Sequence, residues 1–240
     1  MSQVESIDIL AFGAHPDDIE FGCGGVIARE TRAGLTAHFA ICSKGEAGTH
    51  GTPAIRTAEA EQSAALLGAT VEFIELDGDA HLQERIEHTI RLASIIRQTK
   101  AKIILAPSLV ENQHPDHWRL GKLVRDATRL ARFGGLKELR ELPSHSIDLL
   151  LYYAVAPQAE PRDGLSILID ISDQQILSAW QNAMEAHASQ SATRDYVELQ
   201  MTRARLAGLN AGLGHAIALY PNDPILVDSI TTLGPSARKF

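Results

Sequence analysis

Cysteine is nearly missing from this 240-residue chain. Cys23 and Cys42 are the only two, too few for a disulfide framework and too far apart for a CxxC pair. Aromatic residues make up 5%, with two tryptophans, so no Trp-rich platform for stacking on carbohydrate is present, and a sugar ligand would be held mainly by polar groups. Basic residues are in deficit, with 22 Lys and Arg against 30 Asp and Glu and a net charge of −8. That balance argues against a nucleic-acid surface, which needs clustered cations to neutralise phosphates. No apolar run reaches the roughly 18 residues of a membrane-spanning helix. The N-terminal MSQVESIDIL lacks the basic-then-apolar order of a secretory leader. A cytoplasmic protein without nucleic-acid or membrane partners is expected.

A hydrophobic fraction of 45% is ordinary for a globular domain. Short apolar runs at 7–13, 36–42, 71–76 and 102–106 read as strands. Between them, 20–33, 54–67 and 82–99 carry apolar residues at helical spacing. Gly34 and Gly68 follow two of these helices, where a left-handed C-cap favours glycine. This alternation predicts an α/β fold: a Rossmann-like, doubly wound, mostly parallel sheet with helices on both faces. A helix at 116–132, a Gly- and Pro-punctuated stretch at 134–143, and strands at 147–155 and 166–171 follow. Helices are expected at 173–189, capped by Ser172, and at 197–211. The segment 212–240 shows no clear period and is expected to wrap the surface or a neighbouring subunit. No linker divides the chain, so 1–240 is expected to be a single domain, with 1–132 carrying the parallel core and the metal loops.

In a doubly wound sheet the connection reverses between strands 1 and 4, and ligands bind at the carboxyl ends of those strands. Strand 1 runs into AHPDDIE and strand 4 into PSLVENQHPDH, so the two histidine-bearing loops are expected to meet. His15, Asp17, Asp18 and Glu20 in one loop, and His114 and His117 in the other, offer imidazoles and carboxylates suited to a divalent cation. Two His and one carboxylate leave positions open for water and substrate, as catalytic zinc sites do. The bland alternatives are that Asp17 or Asp18 caps the following helix, and that each His is simply hydrogen-bonded at a strand end.

AHPDDIEFGCGG near the N-terminus and HPDH about a hundred residues later resemble the LmbE-like, or PIG-L, N-deacetylase family. SKGEAGTHGTPAIRTAEAEQSAALLG, IILAPSLVENQHPDH and ILIDISDQ also look like family segments. Members similar to bacillithiol- and mycothiol-pathway enzymes remove acetate from N-acetylglucosaminyl compounds with a bound divalent metal. The resemblance therefore implies a zinc-dependent N-deacetylase, other divalent metals such as Fe²⁺ being compatible, that acts on a small N-acetylated sugar conjugate and forms a homo-oligomer. It assigns His15, Asp18 and His117 as metal ligands, Asp17 as general base, and His114 as acid or oxyanion partner. It also makes Arg56 a substrate contact and Asp116 a carboxylate that orients a neighbouring histidine. Relatives of the bacillithiol type carry an arginine before HPDH where this chain has Glu111-Asn112-Gln113, and a tyrosine where it has His187.

The chemistry is coherent with those roles. An amide is a poor electrophile, and a bound Zn²⁺ can polarise it while acidifying water to a pKa of about 7. A carboxylate beside the ligands can take the water's proton, and an imidazole can protonate the departing amine. Two alternatives remain at this stage: an Fe(II)-dependent oxygenase on the same two-His-one-carboxylate set, and a non-enzymatic sugar-binding protein. Several smaller readings stay open. Gly22, Gly24 and Gly25 suit close helix–sheet packing, since GCGG is not GxGxxG. Arg56 has a bland reading as a surface helix residue. Asp77 and Asp79 either line the crevice or form a turn with Gly78, and His187 is expected to face solvent.

Overall fold

Every residue of Ile9–Gly13 (β1) is buried, as a parallel strand covered on both faces must be. In the computed structural model, which describes residues 6–111, 114–191 and 195–234, β1 lies between Ala37–Ile41 (β2) and Ile103–Pro107 (β4), parallel to both. Ala69–Phe73 (β3) extends the sheet beyond β2, and Leu149–Tyr153 (β5) extends it beyond β4, again in parallel. Ala216–Pro221 (β7) and Ile167–Asp170 (β6) complete it antiparallel, giving the order β3-β2-β1-β4-β5-β7-β6. The expected Rossmann-like arrangement is present, with an antiparallel edge added.

Helices cover both faces because strand side chains alternate. Ile9 and Ala11 face one core, built with Asp18–Arg32 (α1), Pro53–Leu66 (α2), Gln174–Glu185 (α5) and Tyr196–Asn210 (α6). Leu10 and Phe12 face the other, built with Ile86–Thr99 (α3) and Pro115–Ala131 (α4). Leu10, Ile19, Ile27, Leu92 and Ile96 are fully buried, each contributing about 1.5–3 kcal/mol relative to exposure. Among the described residues no helix is long and apolar enough to cross a membrane.

The structure departs from the sequence-based expectations at several places, among them the cap of α5, where Asp173 rather than Ser172 accepts the Gln175 and Ile176 amides because the Ser172 hydroxyl is turned to Asp170. β3 begins at Ala69 rather than 71, and the chain leaves the sheet at Ile74–Leu76, where Glu75 takes a φ of 46°. α3 begins at Ile86 rather than 82, because the Asp77 carboxylate accepts the Gln83 amide at 3.0 Å; a side chain that bonds local backbone competes with the helix. α5 ends at Glu185 rather than 189, and 187–190 turn instead, with the Gln190 amide donating to His187 O at 3.0 Å. β7 was not foreseen within 212–240. Its six residues are held by antiparallel neighbours on both sides, a tertiary cause with no long-period signature. Gly34 and Gly68 do take left-handed φ values of 97° and 70°.

The glycines of α1 are packing residues. A Cβ on Gly22 would lie 2.1 Å from Tyr153 Cδ2, one on Gly24 2.8 Å from Trp180 Cδ1, and one on Gly25 2.9 Å from Ile171 Cδ1. The resulting close approach lets Tyr153 donate from its hydroxyl to Phe12 O at 2.7 Å, tying β5 to β1 beneath the ligand end of the sheet. Gly22→Ala is therefore expected to cost about 1–3 kcal/mol of stability by overpacking, measured by urea unfolding. An unchanged midpoint would mean the Tyr153 ring moves aside freely.

Candidate metal centre

Asp18 opens α1, and its carboxylate folds the preceding loop back on itself. Oδ2 accepts the backbone amides of Ala14 and His15, both at 2.9 Å. A carboxylate at a helix N-terminus is further favoured by the helix dipole. The second loop leaves β4 at Pro107 and enters α4 with His114 as N-cap and His117 in the first turn. The two loops meet as the topology required. His15 Nδ1 lies 3.2 Å from His117 Nε2 and 3.4 Å from Asp18 Oδ2, and His117 Nε2 lies 2.9 Å from Asp18 Oδ1.

These contacts place two imidazole nitrogens and both oxygens of one carboxylate in the same small volume. On its far side His15 Nε2 faces Asp79 Oδ1 at 3.0 Å and Asp116 Oδ2 at 3.4 Å. A cation bound at Nδ1 would leave the ring proton on Nε2, toward those two carboxylates, as in the tautomer that a metal-ligating histidine adopts. Burial opposes charge on His15, but Asp18, Asp116 and Asp79 raise its pKa well above the usual value. Burial likewise would raise the Asp18 carboxyl, yet His117 and His15 hold it well below the carboxylate range. The field of the site thus calls for positive charge between these groups. His15 Nδ1, His117 Nε2 and Asp18 could hold a borderline divalent cation such as zinc, with His114 close enough to join His15 and His117 and with positions left for water and substrate.

Asp17 sits beside this set at the N-cap position of α1 with a φ of 111° and makes no side-chain capping bond. A non-glycine residue in that region costs about 1–3 kcal/mol and persists where the surroundings impose it. Its carboxylate turns instead toward Arg56 Nη2, at 3.2 Å. Burial, and next the neighbouring Asp18 charge, push Asp17 up to about 6. The capping alternative therefore fails for Asp17, whose carboxylate is held by Arg56 at the edge of the cavity. His114 Nδ1 accepts the Asp116 amide at 3.3 Å, which leaves the ring proton on Nε2. Burial, then His15 and His117, lower its pKa, so His114 is a neutral imidazole donor rather than an imidazolium. Its ring centroid lies 4.7 Å from that of His15 and 5.4 Å from that of His117.

Arg56 is 4% exposed and does not read as a surface helix residue. It donates to Gly45 O and Pro16 O, each at 2.9 Å, and to Asp17. In this geometry it reaches the cavity while bracing the loop that carries Asp17. Asp116 accepts the Ala80 amide at 2.7 Å, tying the β3–α3 connection to α4 behind His15. Asp79 is the residue that sequence reasoning left undecided between crevice and turn. It follows Gly78 at a φ of 91°, its amide donates to Glu46 Oε1 at 2.9 Å, and its carboxylate approaches His15 more closely than Asp116 does. The signal was an acidic residue after strand 3, on the ligand side of the sheet. His187, expected in solvent, is fully buried, with Nε2 3.3 Å from Glu20 Oε1. It lies where α5 stops short and the chain turns inward. Burial lowers its pKa, but Glu20 outweighs this and the net shift is upward. Asn112 and Gln113, which precede HPDH, lie outside the described residues.

A cavity of about 330 Å³ opens over this cluster, lined by Asp17, Asp18, His15, His114, His117 and Arg56 on its polar side. Residues 10–128 match the PIG-L family, described as GlcNAc-PI de-N-acetylase. The chain carries a PIG-L domain. It is 29% identical over 196 residues to the diacetylchitobiose deacetylase of Thermococcus kodakarensis, covering 76% of this chain and 69% of that protein. It is 30% identical over 140 residues to the 4-oxalmesaconate hydratase of Pseudomonas putida, covering 53% and 54%. The conserved protein TT1542 of Thermus thermophilus superposes with a TM-score of 0.81 at 26% identity, covering 92% of this chain and 97% of that one. The matched segment of the PIG-L domain runs from β1 into α4 and so contains both ligand loops.

Metal content separates the two classes of residue around the PIG-L centre. His15→Ala and His117→Ala are expected to purify without stoichiometric zinc. Asp79→Asn should weaken zinc affinity by about 10–100-fold, as loss of a carboxylate behind a ligating histidine does. Competition with a chelator of known affinity measures all three, and wild-type affinity in Asp79→Asn would remove that residue from the centre.

Proposed function

We propose that this protein is a zinc-type metal-dependent N-deacetylase acting on an N-acetylated amino sugar. The observation that carries the reading is a half-buried carboxylate, Asp17, that makes no capping bond and stands beside two imidazoles and a second carboxylate arranged for one cation. The likeness to the diacetylchitobiose deacetylase of Thermococcus kodakarensis supplies the substrate class. A divalent cation held by His15, Asp18 and His117 would supply Lewis acidity, polarising the acyl carbonyl and making water a stronger nucleophile.

The residues of this chain do the rest. Asp17 accepts the proton of the attacking water, and its elevated pKa suits a base that must later release that proton. Arg56 holds Asp17 and the Pro16 carbonyl, so the base keeps its aim. His114, neutral with its proton on Nε2, hydrogen-bonds the oxygen that gains charge, and the proton that Asp17 takes from water is passed to the departing nitrogen, which returns Asp17 to its basic form. Donation to nitrogen is essential because an amide anion does not leave at neutral pH. Asp79 and Asp116 hold the His15 ring in one tautomer.

A hydratase is the second reading, favoured by the Pseudomonas putida relative. Addition of water to a carbon–carbon double bond also uses a base and a proton donor, but needs no protonation of a leaving amine. The oxygenase alternative fits the three ligands yet leaves Asp17 and His114 without a task.

Acetate release from N-acetylglucosaminides is expected to vanish on chelation and to return with zinc. Conversion of an unsaturated tricarboxylate without acetate release from any amide would favour the hydratase instead. Asp17→Asn should retain zinc and lose about 10²–10⁴-fold in turnover. Because the Asp17 carboxyl is raised, its basic form is lost as pH falls. Wild-type kcat/KM should therefore decline on an acid limb at or below pH 6, since a nearby cation opposes the upward push of burial and Asp18. A flat profile down to pH 4 would contradict the role of Asp17.

A further inference from the structure

The cavity has a second side that the hydrolytic chemistry does not use. Phe21 on α1, Val155 and Ala156 after β5, and Tyr196 and Leu199 on α6 also line it. Phe21 is buried and the other four are half-buried. The Phe21 and Tyr196 rings lie 5.6 Å apart between centroids with an interplanar angle of 40°, within the range of a favourable aromatic pair. Gln200 on this wall is already engaged, donating from Nε2 to Val155 O at 2.8 Å and accepting from Arg203 Nη1. Arg56, a cation bordering the same cavity, is committed to Gly45 O, Pro16 O and Asp17.

From this two-sided lining, and resting on the deacetylase reading above, we infer that the amino sugar carries an uncharged apolar substituent, of aryl size, seated against Phe21, Val155, Tyr196 and Leu199. A second hexose there would bury hydroxyls against aliphatic carbons and rings, with the local Gln200 unavailable to pair with them, and unpaired buried hydroxyls are costly. A carboxylate in the same place would lose its hydration near Asp17 and Asp79. An aryl group loses only apolar hydration, which favours binding, and meets two aromatic faces. The volume, at the small end of ligand cavities, suits one sugar and one compact substituent.

The test compares four compounds: N-acetylglucosamine, its phenyl β-glycoside, the 4-carboxyphenyl β-glycoside, and diacetylchitobiose. Binding to the metal-free protein is read by calorimetry, and kcat/KM for acetate release is read on the zinc-loaded protein. The phenyl glycoside should bind at least 10-fold more tightly than N-acetylglucosamine, within the range that apolar contacts give, and more tightly than the other two. Leu199→Gln, a helix-compatible change at a half-buried position, should shrink the phenyl advantage several-fold. Tightest binding of the carboxyphenyl compound or of diacetylchitobiose would overturn the inference, as would an unchanged ratio in Leu199→Gln or no binding of the phenyl glycoside. Ranked binding without acetate release from any member would sustain the apolar subsite and overturn the deacetylase reading instead.

Discussion

The Asp18 carboxylate is the constraint on which the rest of the site depends. It accepts two backbone amides of its own loop, which ties down the turn after β1, and it meets His15 and His117 at the same time. One short side chain thus links the end of β1, the start of α1 and the first turn of α4. Its charge is sustained by a helix N-terminus and two imidazoles against the opposing effect of burial. Because β1 and β4 are adjacent in the sheet, the loops that must meet leave neighbouring strands in the same direction.

Around that carboxylate the protein buries an unusual density of charge. Asp18, Glu20, Asp79 and Asp116 are all nearly inaccessible, and the nearby cationic or protonatable partners are Arg56, His15, His117 and His187. Unpaired buried carboxylates are costly, so each is given a specific partner: Arg56 braces Asp17, His187 faces Glu20, and His15 faces Asp79 and Asp116. A divalent cation held as proposed would complete this balance and couple its binding to the stability of the folded state. Asp17 stands out because it is held without being consumed: it neither caps its helix nor folds its loop, and its backbone is strained to keep it there.

The parallel core was legible because each strand is a short apolar run followed by an amphipathic helix, and Gly34 and Gly68 marked where helices stop. The meeting of AHPDDIE with HPDH was legible because topology alone places the loops after β1 and β4 together. Legibility failed where tertiary partners decide. β7 exists because β5 and β6 flank it, and His187 is buried because α5 ends early and turns inward toward Glu20. The two tasks of Arg56 could not be separated in one dimension, since only the fold shows its guanidinium bonding Pro16 and Gly45, 40 and 11 residues away. Asp79 was seen but not ranked, because its distance to His15 depends on a glycine turn whose conformation the sequence only permits.

The central claim is that His15, Asp18 and His117 converge on one cation. The most direct measurement is anomalous diffraction at the zinc absorption edge from crystals of the zinc-loaded protein. The account predicts a single strong peak about 2.0–2.2 Å from His15 Nδ1, His117 Nε2 and an Asp18 oxygen, with Asp17 outside bonding distance. A peak bound instead by His114, or by Asp79 and Asp116 with His15 Nε2, would contradict it, as would fully loaded protein without a peak between the two loops.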